Sequence, residues 1–346
     1  MQRREYLSFS LGLGLAVACP AVLRAAAPEL RVLAHDSFDL PKPLLERFER
    51  EAGVALRLVK GGDAGEMVNK LILTKARPIA DVVYGIDNGL LPRVQRAGVL
   101  EPYDGPAARR PSVVPLGAGV VPVDYGFVTL NVDKAAFART GLALPGSLQA
   151  LAEPAYRGLL VVQNPATSSP GQAFLMATIA GLGEEAAFEW WARMRANGLK
   201  VAKGWTEAYY TEFSRNGGTH PIVVSYASSP AAEVYYAKET LAEAPTANLF
   251  LRGGVFRQVE GVALVRGGNP AVREAAGRFI EFLRSASVQE ALQTTMWMYP
   301  AEPGVPLADV LRRHASPPAA ADEPDPARMD AQAKAWVQRW SRTVLR

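Results

Sequence analysis

Two short runs of hydroxyl side chains could bind a ligand without a metal or a nucleophile. Thr167-Ser168-Ser169-Pro170-Gly171 and Ser228-Ser229-Pro230 each follow an apolar, β-like segment and precede a helix-like one. In the first run, Ser169 can cap and Pro170 fits the first helical position. That leaves the N–H groups of Gly171 and Gln172 at the positive end of a helix, suited to an anion or a phosphate. A plain capped helix explains the same residues, so the runs gain meaning only from their neighbours. Trp205 sits between Gly204 and Thr206, Tyr226 closes the segment Ile222 to Ser225, and Trp297 lies in Met296-Trp297-Met298-Tyr299-Pro300. Rings at the ends of elements suit a flat or cationic ligand through stacking and cation–π attraction, although aromatic side chains also build cores.

Asp63, just before an amphipathic stretch, is either a ligand-facing carboxylate or the N-cap of the helix from Ala64. Tyr209-Tyr210 and Tyr235-Tyr236 are a separate possibility, since paired phenolates suit a hard ferric ion. Neighbours on a helix diverge by about 100°, which would split each pair between core and surface.

The tools of catalysis are missing. There are three histidines, His35, His220 and His314, and no HExxH, CxxC or GxSxG. Zinc-protease, dithiol and α/β-hydrolase chemistries therefore lack their signatures. Gly61-Gly62-Asp63-Ala64-Gly65 lacks the Gly-Lys-Ser/Thr of a P-loop, and His35-Asp36-Ser37 are adjacent residues that cannot assemble a relay. The sequence predicts a binder, not an enzyme, with no cofactor.

The elements that must position these residues alternate. Strands are predicted at residues 30–34, 55–59 and 81–85, and helices at 43–51, 64–75 and 89–96, the hallmark of a βαβ arrangement with a mostly parallel sheet. Ligands sit outside the carboxyl ends of such strands, where His35-Asp36-Ser37-Phe38, Gly61-Gly62-Asp63 and Ile86-Asp87-Asn88 fall. Long β-rich runs at 121–132 and 255–265 bracket a second α/β stretch. Two α/β halves joined by two long strands predict two lobes, a hinge and a cleft. The expected division is 28–124 for the first lobe, 125–255 for the second, and 256–346 returning to the first with a C-terminal helix. Asp325-Pro326 should start that helix, with Met329, Ala333, Trp336, Trp340 and Val344 on its packed face.

The chain has 346 residues and a formal charge of +4. Residues 1–27 contain Arg3 and Arg4, a short apolar run diluted by Gly12 and Gly14, and Ala25-Ala26-Ala27, which together are the three parts of an export signal. The arginine pair fits the twin-arginine or the Sec route. Without this segment the chain holds 35 basic and 33 acidic side chains, an excess too small and scattered for a nucleic-acid partner. Cys19, the single cysteine, would leave with the signal, so disulfides are not expected in the mature chain. The segment predicts an exported chain.

Several blocks share one resemblance: Asp36-Ser37-Phe38, Asp63, Ala80-Asp81-Val82-Val83 with Asp87-Asn88, and Asp124-Tyr125-Gly126. Thr167-Ser168 with Pro170-Gly171, Lys203-Gly204-Trp205 with Glu207-Ala208-Tyr209, Ser225-Tyr226 with Ser229-Pro230, and Trp297-Met298-Tyr299-Pro300 complete them. In this order they resemble the periplasmic thiamine-binding proteins of ABC importers. The resemblance implies an α/β, two-lobed type II periplasmic-binding fold with hinge strands and a cleft holding thiamine or its phosphates. It implies a monomeric receptor that delivers its cargo to a membrane ABC permease. The implied ligand contacts are Asp63, Ala64, Ser168, Ser169, Trp205, Tyr226, Ala227, Ser228 and Ser229, with His35, Asp36 and Trp297 lining the pocket. His35 stands where the family often has Tyr, and Ala231-Ala232 replace an aromatic, so the expected cage is thinner. The alternative is a ferric-ion receptor of the same fold using Tyr209, Tyr210, Tyr235 and Tyr236.

Overall fold

The computed structural model describes residues 27–346; the export-signal reading and Cys19 lie outside the described residues. The strands are β1 (Glu29–Ala34), β2 (Ala55–Lys60), β3 (Val82–Asp87), β4 (Leu100–Glu101), β5 (Val121–Asp133), β6 (Leu160–Gln163), β7 (Lys200–Ala202), β8 (Ile222–Tyr226), β9 (Thr246–Leu249), β10 (Phe256–Val265) and β11 (Tyr299–Pro300). The main path runs β2-β1-β3-β10-β5-β8-β6-β7, with β4, β9 and β11 attached at its sides. β1 pairs in parallel with β2 and β3, and β6 pairs in parallel with β7 and β8. Between these parallel sets run the long antiparallel strands β5 and β10.

Those two strands serve both halves. Val121 and Val123 of β5 are buried with Val262 and Leu264 of β10 in a core that also holds Leu30, Val82 and Phe279. Further along β5, Val128, Leu130 and Val132 join Phe256 in a second core with Leu160, Phe174 and Trp190. Apolar side chains alternating along each strand face these two cores in turn.

Local signals set the helix ends. Gly53 and Gly98 close their helices with φ of 66° each, a left-handed conformation that glycine adopts without a Cβ penalty. Asp63 caps the helix Ala64–Leu73, and Asp325 caps Pro326–Val344 by accepting from the N–H groups of Ala327 and Arg328.

Two expectations need correction. The segment 256–346 does not return as one piece to the first half. Met329, Ala333, Trp336, Trp340 and Val344 pack into the second core, where Trp340 meets Trp191 edge-on with ring centroids 5.5 Å apart. The Trp-rich stripe needs large apolar partners, and the helix Glu184–Ala196 supplies Phe188, Trp190 and Trp191. Arg328 and Arg339 pair with Glu184 and Glu185 of that helix, and Arg96 with Asp330 ties the C-terminal helix to the first half. Second, the sequence predicts a helix at residues 270–285 and then a Pro-rich loop running to Pro326, but this stretch contains helices Ala286–Thr295 and Asp309–His314. No described helix is long and apolar enough to cross a membrane.

Candidate functional site

The cleft between the halves measures about 470 Å³, a size suited to a small organic ligand. Of the sequence-predicted residues, His35, Asp36, Asp63, Ala64, Ser169, Trp205, Tyr226, Ser228, Ser229 and Trp297 line it. Ser168 and Ala227 lie directly behind these residues. Both are fully buried behind the wall. Ser168 caps the helix Ser169–Leu182 through Gly171 N, and Ala227 is held by backbone exchange with Phe127 and by Asn248.

Asp63 joins the two halves. Its Oδ1 accepts from Ala64 N at 2.7 Å and from Ser169 N, across the cleft, at 3.1 Å. Its Oδ2 accepts from Trp205 N at 2.9 Å. Cap and cleft residue are therefore one and the same, and the anion expected at the Ser169 helix start is supplied by the protein's own carboxylate. Burial raises the Asp63 carboxyl above its ordinary value. The Trp205 N–H, Ser168 hydroxyl and Ser169 N–H offset only part of that rise. The backbones touch here too. Glu66 N donates to Thr167 O at 3.1 Å, and a Cβ on Gly65 would lie 2.6 Å from the Thr167 carbonyl carbon. Lys203 Nζ bridges to Glu66 Oε1 at 2.9 Å on the outer rim.

Aromatic rings form the side walls. Trp205 stacks on Tyr209 with centroids 5.1 Å apart and planes 19° apart, and meets the edges of Tyr210 and Tyr226. Its indole N–H donates to Ser225 Oγ at 2.8 Å, and Ser225 shares a 2.9 Å hydrogen bond with Ser229. Trp297, at φ 59°, is the one non-glycine residue with a left-handed backbone among the described residues, and it packs edge-on against Tyr235 and Tyr236. A bulky residue held in this conformation marks a place where tertiary contacts dictate geometry.

Of the four tyrosines, Tyr209, Tyr210 and Tyr236 line the cleft, and Tyr235 stands outside it. Residues Ala208–Glu212 form a π-helical turn in which both Tyr209 and Tyr210 face Trp205. Tyr209 donates to Glu233 Oε1 at 2.8 Å, and burial together with the Glu233 charge drives its pKa far up, opposite to what a phenolate ligand needs. Tyr236 donates to Thr294 O instead.

The floor holds a residue that sequence reasoning missed. Glu260 lies in β10 opposite Asp87 of β3 and Asp124 of β5, three buried carboxyl side chains in register. Its Oε1 accepts from Gln258 Nε2 at 2.8 Å, and its Oε2 lies 3.1 Å from the Tyr84 hydroxyl, whose single hydrogen is shared with the nearer Asp124 Oδ2, and 3.4 Å from His35 Nε2. Burial pushes the Asp87 carboxyl up to about 7, and burial with the Glu260 charge raises Asp124 well above its ordinary range. Glu260 resists the same burial because His35, Tyr84 and Gln258 stabilise its charge, and its pKa is lowered. A charge amid Val259, Val262 and Leu264 was the available signal, because a buried strand carries one only with a partner.

A two-lobed α/β chain with crossing strands and a ligand-sized aromatic cleft has the architecture of a solute receptor. Residues 77–330 match the bacterial extracellular solute-binding proteins, and the chain belongs to that family. A thiamine-binding periplasmic protein of Escherichia coli (strain K12) is 32% identical over 328 residues, covering 93% of this chain and 95% of the relative. The solved structure of a periplasmic thiamin binding protein superposes with a TM-score of 0.80 at 30% identity, covering 92% of this chain and 97% of the other. A ferric binding protein from Campylobacter jejuni shares the fold, with a TM-score of 0.70 at 16% identity over 91% of this chain and 99% of its own.

Proposed function

We propose that this protein is an exported receptor that closes its two halves on thiamine, or a phosphate ester of thiamine, and presents it to the permease of an ABC importer. The observation that carries this reading is the pairing, in one cleft, of a Trp205–Tyr209 stack and the Trp297 ring with the ionised Glu260 floor. Thiamine offers two flat rings and a fixed positive charge. An indole face stacks on such rings, and a carboxylate in a dry site attracts the charge far more strongly than in water. The likeness to thiamine-binding relatives along nearly the whole chain supports the same ligand. The reading needs no cofactor and no bond-making step. It places the mature chain in the periplasm, as a monomer, with residues 1–27 as its export signal.

Mass spectrometry of the small molecule carried by protein purified without refolding tests this, followed by calorimetric titration of ligand-stripped protein with thiamine and thiamine monophosphate. Submicromolar binding of either is the expected result. A protein that ignores both and turns red with ferric salts would move the assignment to the ferric reading. Thiamine monophosphate recovered dephosphorylated would make the protein a hydrolase.

A further inference from the structure

The floor of the cleft is built so that one carboxylate has a replaceable cation. β10 carries Gln258-Val259-Glu260-Gly261, and the pairing register shifts at Gly261 on both of its neighbours. A Cβ at Gly261 would lie 2.5 Å from Val120 Cγ1, so only glycine permits this bulge. A bulge re-aims the side chain beside it, and Glu260 forms part of the cleft wall although it is almost fully buried. Neutral donors Gln258 and Tyr84 satisfy it in part. His35 is the basic side chain beside it, and at 3.4 Å the contact is longer than the roughly 2.7–2.9 Å of a strong charge-assisted bond. Gly85 makes room for the imidazole, since a Cβ there would lie 2.3 Å from His35 Cδ2.

We propose that Glu260 is the counter-charge that selects a permanently cationic ring, and that His35 holds the cation's place in the empty cleft, so that ligand uptake expels the imidazole proton. The balance is simple: the ligand cation pairs with Glu260, His35 becomes neutral, and its proton passes to solvent. This rests on the thiamine reading, because the thiazolium supplies a charge that no pH change removes. The groups facing His35 favour the charged imidazole while the cleft is empty. They are Glu260 of β10 and Asp63 at the start of the Ala64–Leu73 helix, with Lys60 of β2 opposing and the neutral Tyr84 ring of β3 alongside. Burial pulls the imidazole pKa down, the nearby Glu260 and Asp63 charges outweigh it, and the net shift is upward. A fixed cation at Glu260 removes that support and adds repulsion, leaving burial to discharge the ring. Asp87, which lies beyond Glu260 and titrates near neutrality, is the competing proton source.

Calorimetry of the full, ligand-stripped protein with thiamine at pH 6.5, in two buffers of different ionisation heat, counts the protons released. The expected release is on the order of half to one proton per thiamine. The Kd should tighten with pH by up to about tenfold per unit below the His35 pKa and level off above it. His35→Asn should abolish the release, Asp87→Asn should leave it, and Glu260→Gln should weaken thiamine at least about tenfold and flatten the pH profile. Tight thiamine binding with no buffer-dependent heat overturns the inference alone, as does a release lost in Asp87→Asn but kept in His35→Asn. If His35→Asn fails to fold, the proton count on the parent protein still decides. No thiamine binding at any pH overturns this inference, and no binding of thiamine or thiamine monophosphate overturns the receptor reading with it.

Discussion

The two hydroxyl-rich helix starts read almost alike in sequence, yet they do different work. At Ser168-Ser169-Pro170, Ser168 is extended (φ −121°, ψ 133°), its hydroxyl accepts from Gly171 N, and the Asp63 carboxylate from the other half occupies the Ser169 N–H. At Ser228-Ser229-Pro230, Ser228 is already helical (φ −81°, ψ −13°) and makes no side-chain cap. There Ser229 turns back to Tyr226 N and Ser225 Oγ, bracing the strand end beside the indole of Trp205. The same residue types thus make a cross-cleft joint in one place and a wall support in the other. Hydroxyls and Pro set where a helix starts, while the facing lobe sets what fills the start.

The comparison breaks most directly at Asp63. Asp63→Ala leaves the N–H groups of Ala64, Ser169 and Trp205 without their acceptor, and should weaken thiamine by at least about 3 kcal/mol, over a hundredfold, in calorimetric titration. Asp63→Asn would be neutral for a simple cap. Here one oxygen must serve where two serve now, so an intermediate loss is expected, and parent-like binding by both variants would remove Asp63 from the site.

Trp205→Ala probes the braced wall. It should cost about 1–2 kcal/mol of affinity and remove most of the ligand-induced tryptophan fluorescence change. An unchanged signal would place the ligand away from the Tyr209 stack.

The joint beside Asp63 also carries a pH signature that the second start lacks. Asp63, Asp87 and His35 all have raised pKa values, so the folded protein holds more protons than the unfolded chain between their ordinary values and their folded ones. For Asp87 that window runs from 3.8 to about 7. Stability must fall as pH rises through it. The ligand-free protein should therefore melt at a lower temperature at pH 7.5 than at pH 5.5, and Asp87→Asn should reduce the difference. A melting temperature that rises over this range would show these groups ionised at no cost.

The smallest test compares the caps themselves. Ser168→Ala should lower stability by about 0.5–1 kcal/mol in urea unfolding, because a cap bond of 3.4 Å is weak. Ser228→Ala has no cap bond to lose and should stay within about 0.5 kcal/mol. Equal losses would mean that both starts are capped alike.

Much of the architecture was legible because it rests on local periodicity. The first three βα units, the two long strands, the Asp325-Pro326 start and the apolar stripe of the last helix follow from side-chain spacing and from cap chemistry, which operate over a few residues. The ring residues Trp205, Tyr226 and Trp297 were legible too, since their positions at element ends leave a face free. The role of Asp63 as both cap and cross-cleft acceptor was not, because its partners Ser169 and Trp205 lie more than a hundred residues away.

By itself the sequence determined which segments form helices and strands and which face of each is buried, since hydrophobic spacing is encoded within each segment. Only the tertiary structure decided where those segments meet. It put the Trp336 and Trp340 face on the second half because Trp190 and Trp191 present the matching surface there. It set Glu260 in register with Asp87 and Asp124, with one imidazole beside them, because a glycine bulge turned that strand. Such contacts depend on strand register and on the approach of distant backbones, and no spacing within one segment specifies either.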